Sequence, residues 1–143
     1  MSRLARPAPR RGASDALAPH APAKRVLVVD DEPDIQDFVS MVLRGAAYAV
    51  DTASDGREAL QKIESDPPDL VILDLMMPAM DGWAVLERLS REGTPAPPIV
   101  VLSGHKDYER ARQTGAAACV LKPFDVPQLL IACNRALVPG LAK

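Results

Sequence analysis

Residues 70–82 read L-V-I-L-D-L-M-M-P-A-M-D-G, from Leu70 to Gly82. The opening Leu70–Leu73 run is apolar without alternation, as expected of a strand buried on both faces. Asp74 follows at once, then a loop carrying Pro78, then a glycine that opens a stretch with Val85, Leu86 and Leu89 on one helical face. A buried strand that hands a carboxylate to a loop ahead of a helix is one βα unit. The rest of the chain repeats it.

Upstream, Arg25–Val29 (R-V-L-V-V) is a strand of the same kind, followed by Ile35, Phe38, Val39, Val42 and Leu43 at helical spacing. Pro33 suits the first turn of that helix, and Gly45 suits its stop. A second strand is expected near Tyr48–Thr52, and a second helix with Ala59, Leu60 and Ile63 inward ends before Pro67-Pro68. Downstream, the third helix occupies Gly82–Arg91 and a fourth strand Ile99–Leu102. A short polar helix around Lys106–Thr114 precedes Gly115 and a fifth strand near Ala118–Leu121. The last helix, about Val126 to Leu137, carries Val126, Leu130, Cys133 and Leu137 in register. Five βα units with right-handed crossovers predict an α/β protein, a parallel sheet with helices on both faces.

Composition agrees with one soluble domain. The 143 residues are 48% hydrophobic and 25% charged, and the formal net charge is −2. That balance argues against a nucleic-acid coat, and aromatics at 3% leave no row of stacking platforms for single strands. No apolar run approaches the roughly 20 residues of a membrane-spanning helix, so membrane insertion is not expected. Two cysteines, Cys119 and Cys133, are too few for a disulfide scaffold, which makes a reducing cytoplasm the expected location.

The 14 prolines and the charge are unevenly spread. Residues 1–23 hold Pro7, Pro9, Pro19, Pro22, many alanines and four arginines, with only Leu4 and Leu17 to anchor a core. Such a stretch cannot offset its ordering entropy and is expected to be a disordered tail. It carries +3, counting four arginines against Asp15, and residues 24–143 carry −5, with 13 basic and 18 acidic groups. The expected organisation is a tail at 1–23, an acidic domain at 24–138 and a short end segment at 139–143.

Parallel α/β sheets bind ligands beyond the carboxyl ends of their strands. This sequence places Asp30, Asp31 and Glu32 after the first strand, Asp74 after the third, Ser103-Gly104 after the fourth and Lys122-Pro123 after the fifth. Crowded carboxylates raise one another's pKa unless a cation intervenes. Hard oxygen donors with neither His nor Cys favour Mg2+ over Zn2+. A carboxylate nucleophile beside such a metal can accept a phosphoryl group, with the lysine and serine steadying its charge. The chemistry expected at Asp74 is phosphoryl transfer.

The set Asp30-Asp31, Asp74 with M-P-x-M-D-G behind it, Ser103-Gly104 and Lys122-Pro123-Phe124 resembles the receiver domain of two-component response regulators over about residues 24–138. The resemblance implies a flavodoxin-like, doubly wound (βα)5 fold with strand order 2-1-3-4-5. It implies Asp74 as phosphoacceptor, with a sensor histidine kinase or phosphotransfer protein as donor. Asp30, Asp31, Asp74 and the main-chain carbonyl of Met76 would hold Mg2+. Lys122 would pair with the phosphoryl group, its bond to Pro123 is often cis in relatives, and Ser103 would turn inward to a phosphoryl oxygen. Two departures fall on the output face: Cys119 stands where relatives usually carry an aromatic switch residue, and Gly104–Ala118 is about three residues short.

With few residues past 138, the expected form is a stand-alone regulator whose output is contact with a downstream protein or a phosphorelay, without direct DNA binding and without turnover of an external substrate. The resemblance also admits a homodimer. A phosphorylation-independent scaffold is the alternative that Cys119 and the short fourth helix favour. An aspartyl-phosphate phosphatase fits less well, because such enzymes commonly carry a second Asp where Met76 stands. A dinucleotide-binding enzyme fits less well still, since no G-x-G-x-x-G follows the first strand. Individually, Asp30-Asp31 could cap a helix, Ser103-Gly104 could form a turn, and Glu32 could cap the first helix or approach the metal. Cys119, Cys133 and Trp83 read as packing residues, and His105 as a solvated loop residue.

Overall fold

Runs of valine, isoleucine and leucine form the three central strands of the sheet. The computed structural model describes residues 22–75, 77, 82–91, 96–103 and 107–138. Its elements are β1 (Arg25–Val29), α1 (Pro33–Gly45), β2 (Ala49–Ala53), α2 (Gly56–Ser65), β3 (Leu70–Asp74), α3 (Gly82–Arg91), β4 (Ile99–Ser103), α4 (Tyr108–Thr114), β5 (Ala118–Leu121) and α5 (Val126–Leu137). All strand pairs are parallel and the order is β2-β1-β3-β4-β5, the doubly wound arrangement expected.

Alternate residues of the central strands point to opposite faces. Leu27, Val29, Val71, Leu73, Ile99 and Val101 meet α2, α3 and α4 through Leu60, Ile63, Val85, Leu86 and Ala111. Val26, Val28, Leu70, Ile72, Val100 and Leu102 meet α1 and α5 through Val39, Leu43, Leu129 and Cys133. β3 and β4 are buried at every position, which is why their sequences do not alternate. Among the described residues no helix is long and apolar enough to cross a membrane.

Four helix details differ from the periodic reading. On α1, Val39 and Leu43 are fully buried, but Phe38 is 39% exposed, because the apolar stripe is wider than the strip of helix that touches the sheet. On α5 the buried set is Leu129, Cys133 and Ala136, while Val126 is exposed; Pro127 and the cap at Asp125 rotate the first turn outward. Gly45 does not stop α1: the helix includes it, and the left-handed residue is Ala47 with φ 74°. α4 is seven residues long, the shortest of the described helices, and starts two residues after the expected Lys106. Residues 1–21 and 139–143, with most of the expected tails, lie outside the described residues, as do Gly104 and His105.

Gly82 is one glycine whose missing side chain the fold needs. Its N–H donates to the Leu75 carbonyl at 3.1 Å, and a Cβ there would run into the main chain of Asp74 and Leu75. Nothing lies within 4 Å of a Cβ at Gly45. Gly82→Ala is therefore expected to lower unfolding stability by about 1–3 kcal/mol, whereas Gly45→Ala should raise it by up to about 1 kcal/mol. Urea denaturation midpoints of the two variants check both signs.

Candidate functional site at the carboxyl edge of the sheet

Strand order sets which loops meet. β1, β3, β4 and β5 are consecutive in the sheet, so the residues that end them share one edge. Main-chain bonds beyond the regular ladder extend that order: Asp30 N–H donates to the Ala53 carbonyl (3.1 Å), Leu75 to Leu102 (3.1 Å) and Lys122 to Ser103 (2.7 Å). Gln36 ties the β1–α1 turn down, its side-chain amide donating to the carbonyls of Asp30 (3.0 Å) and Ala53 (3.2 Å). Backbone polar groups inside this edge are thus partnered, and the side chains that emerge are held in place.

Asp30 and Asp74 are buried and Asp31 is exposed beside them. One carboxylate oxygen from each can be chosen so that all three lie within 4.8 Å of one another. Lys122, half-buried, reaches over the pair, its Nζ 3.6 Å from Asp74 Oδ1 and 3.9 Å from Asp30 Oδ2. Ser103 is buried at the end of β4, and its hydroxyl donates to Asp107 Oδ2 at 3.3 Å. The Lys122–Pro123 peptide bond is cis. The structure therefore brings Asp30, Asp31, Asp74 and Lys122 together and ends the adjacent β4 on Ser103. Met76, whose main-chain carbonyl was expected as a metal ligand, lies outside the described residues.

Glu32 neither caps α1 nor joins the acidic cluster. It occupies the N-cap position without a side-chain bond, and its N–H donates to Asp30 Oδ1 at 2.9 Å. Cys119 is partly buried beside Trp83 on the α2–α3–α4 face. Burial raises its thiol pKa, and the nearby Asp107 carboxylate raises it further, so it is not a poised thiolate. Cys133 is core, its thiol pushed up to about 12 by burial. Two residues of the site were not singled out in the sequence: Gln36 on α1 and Asp107 at the N-cap position of α4.

Burial pushes the Asp30 carboxyl up from 3.8 to about 6, with the Asp74 and Asp31 charges adding to the rise; the Glu32 N–H and Lys122 oppose it. Its Oδ2 is buried and, among the described residues, accepts no hydrogen bond; its one ion pair is the long 3.9 Å contact to Lys122. A buried carboxylate oxygen short of hydrogen bonds, among two further carboxylates, fits a hard divalent cation, which would supply a ligand contact and opposing charge.

The sign of the stability effect follows from proton counting. Between about pH 4 and pH 6 the folded chain holds a proton on Asp30 that the unfolded chain has released. Metal-free stability therefore falls as pH rises through that window, and the deficit is complete above it. Asp30→Asn keeps an acceptor for the Glu32 N–H and removes the buried charge. It is expected to gain about 2–3 kcal/mol at neutral pH in chelator-treated buffer and almost nothing below about pH 4. Thermal melts of both proteins across that range check this.

Comparison with known proteins matches this site to a family. The response regulator receiver domain profile covers residues 26–134. The transcriptional regulatory protein SphR of Synechococcus elongatus is 42% identical over 130 residues, covering 82% of this chain and 50% of that protein. PhoP of Bacillus subtilis is 37% identical, covering 71% of this chain and 43% of that protein. The chain thus spans about half the length of these regulators. Among solved structures, the chemotaxis protein CheY4 of Vibrio cholerae aligns with a TM-score of 0.74 at 34% identity, over 80% of this chain and 99% of that one. The receiver domain of NtrX from Brucella abortus aligns with a TM-score of 0.73 at 36% identity, over 78% and 97%. Profile, relatives and fold agree, and the chain belongs to the response regulator receiver domains, the signalling domains of two-component systems.

Proposed function

We propose that this chain accepts a phosphoryl group on Asp74 from a phosphohistidine of a sensor histidine kinase or phosphotransfer protein, with Mg2+, in the cytoplasm. The observation that carries the reading is three carboxylates with oxygens within 4.8 Å of one another and a lysine ammonium 3.6 Å from the central one. Asp30, Asp31 and Asp74 would hold the cation, together with the Met76 carbonyl. When bound, Mg2+ neutralises carboxylate charge and draws electron density from the phosphoryl oxygens.

An Asp74 carboxylate oxygen attacks phosphorus, the P–N bond to the donor imidazole breaks, and the leaving nitrogen keeps the electron pair and takes up a proton. Lys122 moves from pairing with carboxylates to pairing with the new phosphoryl oxygens, so its charge follows the charge being transferred. Ser103 donates to a remaining oxygen. Buried leucines behind Asp74 fix its direction, and its burial limits attack by bulk water on the acyl phosphate. The output would be contact with a downstream protein, or onward phosphorelay, with no DNA contact by this domain; pairing of two copies is a further element of the reading.

Cys119 in place of an aromatic switch favours one second reading, a scaffold that binds its partner whatever the state of Asp74. Partner affinity measured with and without a phosphodonor separates the two.

Incubated with Mg2+ and acetyl phosphate, the wild-type chain is expected to gain one acid-stable, base-labile phosphoryl adduct by intact-mass measurement. Asp74→Asn should gain none, and chelating the metal should slow the wild type by at least about 100-fold. An adduct that survives Asp74→Asn would overturn the assignment.

A further inference from the structure

Among the described residues three aspartates stand immediately before helices, and they do not behave alike. Asp55 and Asp125 have extended backbone (ψ 175° and 170°), and their carboxylates accept the N–H of Glu58 and Gln128, three residues on. These are ordinary N-caps. Asp107 holds the same position before α4, yet its ψ is 24° and its side chain makes no cap bond. Its carboxylate instead accepts the Ser103 hydroxyl at 3.3 Å. The residue best suited to finish α4 is engaged across the loop, on a side chain that reaches out from the end of β4.

α4 is tied to α3 along its length. In its first turn Arg110 lies over the Trp83 ring of α3, 3.9 Å from its centroid, and Ala111 behind it is fully buried. Ser90 of α3 donates to the Thr114 carbonyl at 2.5 Å, and a Cβ on Gly115 would run into the same serine. The packing of α4 on α3 is thereby held at both ends, and what can change is the partner that the Asp107 carboxylate takes. Cys119, where relatives usually carry the aromatic switch, sits close enough to feel the Asp107 carboxylate, so Asp107 borders both the serine and the altered output position.

We propose that Asp107 is the positioning residue that couples the site to α4: its carboxylate holds the Ser103 hydroxyl in the resting chain, and a phosphoryl group on Asp74 takes that hydroxyl and releases Asp107 to cap α4. The exchange rests on the phosphoacceptor reading for its trigger. A hydroxyl has one proton to donate, so a bond to a phosphoryl oxygen displaces the bond to Asp107. The freed carboxylate needs only a rotation of its own ψ to the extended value to reach the N–H groups of Glu109 and Arg110. Cost and output are thus linked, because whatever holds Ser103 also opposes phosphoryl capture.

Hydrogen exchange at the Arg110 amide, read by NMR on the full chain, tests both halves. With Mg2+ and beryllofluoride as the phosphoryl mimic, wild type should protect this amide by about fivefold, the effect of one cap. Ser103→Ala should show that protection in the resting chain, with no mimic added. Asp107→Ala should bind beryllofluoride about three- to tenfold more tightly yet show no added protection, and Asp107→Asn, which can accept both bonds, should restore the response. Unchanged exchange in resting Ser103→Ala, or a full response in Asp107→Ala, overturns the coupling. If wild type ignores beryllofluoride while Ser103→Ala is protected, the phosphoryl trigger and the reading beneath it fall, and the Ser103–Asp107 contact stands.

Discussion

Carboxylate crowding at one edge of a parallel sheet governs this molecule. Asp30 and Asp74 are buried side by side, with Asp31 against them and the Lys122 ammonium the nearest positive charge. Each buried charge costs solvation that one half-buried lysine at 3.6–3.9 Å only partly returns. The chain accepts an acid held protonated up to about pH 6 at Asp30 as the consequence. A site that is uncomfortable when empty is one that gains most from a divalent cation and from redistribution of charge around Asp74.

The remainder of the fold holds that edge rigid. Two apolar layers clamp β3 and β4 at every position, the Gln36 amide fastens the β1–α1 turn, and Gly82 lets α3 begin against the main chain of Asp74 and Leu75. A larger residue at position 82 would push on the carboxylate's own backbone. Against this frame α4 is short, tied to α3 by Arg110 on Trp83 near its start and by Ser90 at its end, and without a side-chain cap from Asp107. Its first residues lie next to the end of β4, where Asp107 accepts the Ser103 hydroxyl.

Much of this was legible in the residues themselves. Unalternating apolar runs identified buried parallel strands, and the polar residue after each run identified the edge. The boundaries of β1, α3, β5 and α5 follow from Arg25, Gly82, Ala118 and Val126 without correction. The inward faces of α1 and α5 were less legible, because periodicity shows an apolar stripe but not how wide a strip the sheet covers. Phe38 and Val126 fall outside that strip. Gly45 misled for a related reason: glycine permits a helix end, and the chain placed its left-handed residue at Ala47 instead.

The sequence alone determined the inventory: five βα units, an acidic domain, and an aspartate, serine or lysine behind four of the strands. Those are local properties, written in spacing and residue type. Only the tertiary structure decided that the Asp30 Oδ2 is buried without a hydrogen bond among the described residues, that Lys122 spans two carboxylates, and that Asp107 turns from its own helix to Ser103. Each of these depends on distances between residues far apart in the chain, or on a choice between two bonds that the same side chain could make. Spacing along a sequence carries no record of that choice, because both partners of Asp107 lie within four residues of it and the packing of α4 selects between them.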